Sequence, residues 1–229
     1  MINGHTFGLA LSCAERYIAS RFPGQILANA MNKLASNEDY FRESFQRLDL
    51  RSGNLENARF EECEFSHCDF TSTRFSRCKF TDCRFTHCNL SLVEMSAARL
   101  YALSFEECKL SGIDWTGASW PEYNLEADLH FSKSILTSGS FFGLALRGLK
   151  MDQCLLQGVD FRECDLSNAE MVGCDLTGSL FNKTTLRAAD LTDSWNFTID
   201  VMNNTLSGAK FSRYEALALL ESLGIELVD

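Results

Sequence analysis

The residues best suited to chemistry crowd into "FEECEFSHCDFTSTRFSRCKFTDCRFTHCNL", residues 60–90, which holds five cysteines and two histidines. Thiolates and imidazoles at that density suit zinc, which takes four tetrahedral nitrogen or sulfur ligands, or disulfides in an oxidising compartment. The opening "MINGHTFGLALSCAERY" has neither a basic n-region nor a long apolar core. Ten cysteines without a secretory signal point to free thiols and to a cytoplasmic protein. No Walker loop, G-x-G-x-x-G, H-E-x-x-H or G-x-S-x-G occurs. Of the four histidines, His5 and His130 lie outside the cluster, and no nucleophile, base and orienting group can be assembled. The expectation is a protein with no catalytic residue and no cofactor.

The elements that must position these side chains follow an unusual period. From Tyr40, every fifth residue is large and apolar through Phe45, Leu50, Leu55, Phe60 and onward to Trp115, Trp120 and Leu125. The frame moves by one residue and resumes at Phe131, then runs through Leu136, Phe141 and Leu146 to Leu206 and Phe211, with Asn196 its single polar member. Five residues on an α-helix turn about 140°, which would scatter the apolar set around the cylinder. On a continuous strand, an odd step alternates faces. One inward residue in five requires a corner every five residues, and stacked sides make a solenoid.

A second inward column supports this reading. Two residues before each central position stand Ala58, Cys63, Cys68, Thr73, Cys78, Cys83 and Cys88, and later Cys154, Val159, Cys164, Ala169 and Cys174. Every cysteine except Cys13 falls in this slot, where a thiol serves as a small buried hydrophobe. His67 and His87 stand two residues after Phe65 and Phe85, an outward register. Neighbouring cysteines point inward from different walls, so no shared metal site is expected.

The pattern resembles the pentapeptide-repeat proteins, in units such as "CDLSNAEMVGCDLTGSLF" and "AADL". The resemblance covers about residues 38–211 and implies an all-β solenoid: a right-handed quadrilateral β-helix with four units per twenty-residue coil. About nine coils at ~4.8 Å each would stack to roughly 40 Å. The slip near residues 126–130 requires a bulge or small loop, and Trp115 and Trp120 are large enough to distort their coil. The frame shows room for no longer insertion.

Both ends depart from the period. Residues 1–37 read as a helical cap or extension, with Ile26, Leu27, Ala30, Met31 and Leu34 at helical spacing. A partner-binding arm, or a start at Met31, are the alternatives. Residues 212–229 read as a helix and tail, with Ser212 and Glu215 as a capping box and Gly224 as the stop. Tyr214, Leu217, Leu220, Leu223 and Ile225 form its apolar stripe, which either lids the last coil or joins two copies. "YEALALLESLGIELVD" and "KLSGIDWTGASW" look like the group containing the Qnr quinolone-resistance, mycobacterial fluoroquinolone-resistance and albicidin-resistance proteins. That narrower resemblance implies a homodimer through the C-terminal helices and binding to DNA gyrase or a related type II topoisomerase as a mimic of duplex DNA. Its loop-poor members are the nearer analogy.

Charge bears on the partner. The net charge of −10 argues against direct binding of nucleic acid, and no run reaches the ~18 apolar residues of a membrane span. From residue 126 onward there are fifteen acidic and eight basic residues. In that half the slot before the central residue holds Asp160, Asp165, Glu170, Asp175, Asp190 and Asp200. These are the candidate topoisomerase-binding carboxylates; equally, Asp suits this slot because it bonds turn backbone. A general interaction scaffold, with acidity incidental, is the other reading.

Overall fold

The computed structural model of the chain describes residues 34–120 and 128–228. The expected N-terminal helix of residues 1–37 therefore lies almost wholly outside the described residues, as do Met31 and Leu125. The solenoid unit starts at Ala35. Each five-residue unit supplies an extended piece, from a single bridge residue to a strand of four, and a corner; a residue with left-handed φ stands at most corners, as at Arg47 (53°), His67 (54°) and His87 (53°). Four units close a coil, giving walls that we number 1 to 4 from Tyr40, Phe45, Leu50 and Leu55.

All pairing is parallel and runs from one coil to the next. Wall 2 stacks nine strands: Ser44–Gln46, Glu64–Ser66, Arg84–Thr86, Leu103–Glu106, Leu129–Ser132, Lys150–Asp152, Glu170–Val172, Asp190–Leu191 and Lys210–Phe211. Wall 1 opens with Asp39–Phe41, Arg59–Glu61, Lys79–Thr81 and Arg99–Tyr101. Wall 3 is a column of single bridges from Asp49 through Asp69, Asn89, Lys109, Ile135, Leu155 and Asp175 to Trp195. Wall 4 pairs Asn54–Glu56 with Arg74–Ser76 and continues through Glu94, then Asp114, Ser140, Asp160 and Leu180. The pairs lie twenty residues apart, as Phe45↔Phe65 and Phe65↔Phe85 illustrate.

One level breaks that step. Phe105 pairs with Phe131, Lys109 with Ile135 and Asp114 with Ser140, a separation of 26. Six residues are thus extra between Trp120 and Asp128, which corrects the expected one-residue slip and the expectation that nothing longer fits. A period of five counts only remainders, so an insertion of six reads as an insertion of one. At Trp115 the described part of the coil departs from its neighbours as a 3-10 turn, Trp115–Gly117. Trp115 is fully buried, stacks on Phe141 at 5.3 Å and meets Phe105 and Phe131 edge-on, while Trp120 Nε1 donates to the Trp115 carbonyl at 2.8 Å.

The core is two nested sets of columns. Central residues stack on their own kind: Phe45, Phe65, Phe85, Phe105 and Phe131 form one run with centroids 4.7–5.1 Å apart. The small slot two residues earlier does more than fill space. On wall 3 it holds Cys68, Cys88, Cys108, Ser134, Cys154, Cys174 and Ser194. Cys88 Sγ accepts from the Cys68 amide at 3.3 Å and donates to the Phe65 carbonyl at 3.4 Å. Ser134 Oγ stands in the same relation to the Cys108 amide and the Phe105 carbonyl, at 3.0 and 3.3 Å. Thiol and hydroxyl are thus interchangeable here, each satisfying buried backbone that would otherwise be unpaired. At Asn196 the frame breaks: that residue is exposed with φ 58°, and Phe197 and Ile199 are buried instead.

Nine cysteines are buried and unbridged, and burial pushes the Cys83 and Cys164 thiols up to about 12. Thiolate is the reactive species. We predict that these nine thiols stay silent to Ellman's reagent near pH ~8 and react together in denaturant. Fast reaction at any one of them in the native protein would contradict the packing.

Candidate functional site

Consecutive units occupy consecutive walls, so the acidic slot winds around the coil instead of forming a row. Asp160 lies on wall 4, Asp165 on wall 1, Glu170 and Asp190 on wall 2, and Asp175 on wall 3. Among these five, only Glu170 and Asp190 stack directly, paired in register; Asp200 falls in the turn after the Asn196 break. All of them except Glu170 hold a nearby turn. Asp165 accepts from the amide and hydroxyl of Ser167 at 3.1 and 2.6 Å, and Asp190 bonds the Thr192 amide at 3.0 Å and its hydroxyl. The same Asp-x-Ser/Thr turn recurs at Asp69–Thr71 and Asp114–Thr116. Asp175 is 7% exposed and accepts from Thr177, Gln157 and Asn196. Asp200 caps the Met202 amide at 2.8 Å.

Cations answer four of the six. Arg162 lies 2.7 Å from Asp160, Arg147 2.6 Å from Asp165, Lys210 3.0 Å from Asp190, and Lys150 4.0 Å from Glu170. The Arg162 guanidinium holds Asp160 below the usual carboxylate range. Burial pushes Asp165 up, but bonds from Ser167 and Arg147 outweigh it and leave its pKa lowered. The Thr192 hydroxyl, then the Thr192 amide and Lys210, lower Asp190. Counting only described residues, Asp128, Asp152, Asp193, Glu215, Glu221 and Glu226 of this half, besides Asp175 and Asp200, have no cation within 4 Å.

The last coil is only partly covered. Phe211 is half-buried, and the chain continues through a 3-10 turn at Glu215–Leu217 into the four-residue α-helix Ala218–Glu221. Gly224, with φ 71°, ends it as expected, its amide donating to the Glu221 carbonyl at 2.9 Å. The capping box does not form: Ser212 Oγ instead donates to Asp193 and accepts from the Asp193 amide, both at 2.9 Å, because the ladder reaches that hydroxyl first. Tyr214 is 82% exposed; Leu217, Leu223 and Ile225 are about half exposed, and Leu220 is half-buried. The stripe therefore covers its coil incompletely and still presents apolar surface, continued by Leu227 and Val228.

Two family profiles fit this architecture. The pentapeptide repeat region matches residues 58–127, and pentapeptide repeats (8 copies) match 140–178 and 154–193, together more than half of the chain.

The chain belongs to the pentapeptide-repeat family.

Among solved pentapeptide-repeat structures, it is similar to a trypsin-treated variant of QnrB1, a plasmid-mediated fluoroquinolone resistance protein. The identity is 23% over 85% of this chain and 99% of that one, with a TM-score of 0.50. Full-length QnrB1 aligns at 20% identity over 80% of this chain and all of that one, with a TM-score of 0.46. HetL, from the cyanobacterium Nostoc sp. strain PCC 7120, aligns at 18% over 81% of this chain and 92% of that one, at 0.38. These likenesses concern the fold. No curated protein matches.

Sequence reasoning about the family's acidic slot missed the apolar surface. Leu155 and Trp195 on wall 3, and Phe142 and Leu180 on wall 4, are each about 40% exposed or more. They occupy slots beside the central one, which a search for inward residues passes over. His67 and His87 do share an outward column, with rings 4.8 Å apart and His87 Nδ1 3.1 Å from Glu107. Among the described residues, no three His, Cys, Asp or Glu side chains are placed to hold a metal ion, and no helix is long and apolar enough to cross a membrane.

The lowered carboxylates set a pH dependence. A group whose folded pKa is depressed adds stability above its unfolded pKa and loses it as pH falls through the folded one. With Asp160, Asp165, Asp175 and Asp190 all lowered, stability to urea should hold above about pH 5 and fall steadily below about pH 4. A flat urea midpoint across that acid range would show that these bonds contribute nothing.

Proposed function

We propose that this pentapeptide-repeat protein is a non-catalytic binding rod for a type II topoisomerase, DNA gyrase in particular. It occupies the cationic groove that otherwise receives duplex DNA, and so modulates the enzyme or protects it from a topoisomerase poison. The observation that carries the reading is the charge asymmetry, fifteen acidic against eight basic residues from residue 126 onward, mounted on a stiff parallel ladder. The fold shared with a fluoroquinolone resistance protein supports it. Because Asp160, Asp165, Glu170 and Asp190 are paired with cations, the field seen by a groove comes mainly from unpaired carboxylates such as Asp152, Asp193, Glu215 and Glu221. Duplex DNA carries one charge per ~1.7 Å, so the rod offers the sign of DNA at lower density. The six-residue insertion leaves room for a contact outside the coil, so loop-dependent protection from quinolones stands beside the loop-poor analogy.

Two copies would join through Tyr214, Leu217, Leu220, Leu223 and Ile225, placing the two acidic halves at the centre of a double-length rod. The exposure of four of these five supports this use. The protein is then expected to act in the cytoplasm, where the enzyme is. A second reading, a scaffold for some unrelated protein, draws on the exposed Leu155, Trp195, Phe142 and Leu180.

Two outcomes test the reading. Micromolar protein should alter gyrase supercoiling with or without albicidin or a fluoroquinolone, and Asp152→Lys should weaken gyrase binding by about 3–10-fold with an unchanged melting temperature. Absence of any effect of the wild-type chain in both conditions would reject the topoisomerase reading. Separately, Leu220→Asp should yield a monomer by light scattering where the wild type is a dimer; an unchanged mass would reject the interface.

A further inference from the structure

Leu92 is the misfit of the surface. It stands at a corner with φ 58°, and among the described non-glycine residues with left-handed φ it is the single large aliphatic one; the others are polar or alanine. Its own corner column, between walls 3 and 4, reads Ser52, Ser72, Leu92, Gly112, Ser138, Gly158 and Gly178. A bulky residue in that backbone region is uncommon, and this one is also 57% exposed. Neither burial nor turn chemistry accounts for it.

The neighbours have made space. A Cβ on Gly112, one coil further on, would lie 2.7 Å from Leu92 Cδ2, so the leucine side chain lies across the place a side chain at 112 would fill. Ser72 on the other side and Ser96 on the next wall are small. The result is an open groove of about 450 Å³ whose lining includes Ser72, Leu92, Glu94, Ser96, Gly112 and Asp114. Its lining combines the apolar Leu92, Val93 and Met95 with the acidic Glu94 and Asp114. Glu94 is clamped by Arg74 at 2.6 and 3.1 Å. Among the described residues, Asp114 has no cation within 4 Å; its Oδ1 accepts from the Thr116 amide and hydroxyl, and its other oxygen meets no hydrogen-bond donor.

We propose that this groove receives a lysine or arginine side chain of the partner protein. The aliphatic stem lies on Leu92, as such stems lie on apolar surface generally, and the charged head meets the free carboxylate oxygen of Asp114. The complementarity is specific to that occupant: an apolar side chain would leave the Asp114 charge unanswered, and an acidic one would oppose it. The inference rests on the reading that the chain works by binding a protein, and it adds an anchor on the half of the rod that charge asymmetry does not single out.

The test uses the full chain with two variants, Leu92→Ser, which installs the residue found at 52, 72 and 138, and Asp114→Asn. Each should weaken binding to purified DNA gyrase about tenfold, with the melting temperature unchanged or, for Leu92→Ser, raised. Gyrase binding unaffected by Leu92→Ser overturns the groove; loss with Leu92→Ser but not with Asp114→Asn overturns the cationic occupant. A second arm does not depend on the enzyme. In methyl-labelled protein, the peptide Gly-Lys-Gly should shift the Leu92 methyl signals saturably, and Asp114→Asn should weaken that response. A shift without any gyrase binding would mean that the topoisomerase reading fails and the groove stands; no shift at millimolar peptide would overturn the groove.

Discussion

Most backbone hydrogen bonds in this molecule run between coils, with short turn bonds at many corners, and the other features follow from that. A five-residue side is too short to pair with its neighbour along the chain, so its amides and carbonyls find partners one coil away. The arrangement works only if each coil returns to register, which needs a corner every five residues. Most of those corners hold a left-handed φ. For non-glycine residues that conformation is less favourable, and the ladder must compensate for it many times over. The compensation comes from the interior, where apolar columns stack and buried backbone is met by thiols and hydroxyls. Stability of this kind sums over neighbouring coils, and an end coil is the least supported.

The same winding decides what the surface can be. A residue type repeated every five positions appears on all four walls in turn, whereas one repeated every twenty makes a stripe on a single wall. The acidic slot belongs to the first kind, which is why Asp160, Asp165, Glu170 and Asp175 stand on four different walls. The histidine column and the wall 3 cysteines belong to the second. A binding surface on such a protein is therefore written in steps of twenty, and broad charge steers a partner without giving it a footprint.

Much of the fold was legible in the sequence because the signal is redundant. Tens of units agree on the inward residue, so one dissenter such as Asn196 marks a local break without obscuring the rest. Less was legible at the sites. The cysteine slot reads as small and apolar, whereas its bonding to backbone on both sides depends on the fold, which places Cys88 between the Cys68 amide and the Phe65 carbonyl. The Asp residues suit either turns or a binding surface by sequence, and the bonds from Ser167, Thr177 and Thr192 show Asp165, Asp175 and Asp190 forming turns. The Ser212–Glu215 box failed because local helix chemistry lost to the ladder, which supplied Asp193. Leu92 was invisible because a leucine two places from a central position breaks no rule of spacing; its oddness is conformational.

The 26-residue step between Phe105 and Phe131 bears on how the chain reaches this structure. Closing a 26-residue loop costs only about 0.2 kcal/mol more than closing one of twenty, since the penalty grows with the logarithm of length. The ring stacks carry straight across the joint, Phe105 on Phe131 at 5.0 Å and Trp115 among Phe105, Phe131 and Phe141. Folding that begins in either half can therefore continue past the insertion at little entropic cost, and the two halves are expected to melt together. The bulkiest side chain in the core sits where the chain detour would otherwise have been a seam.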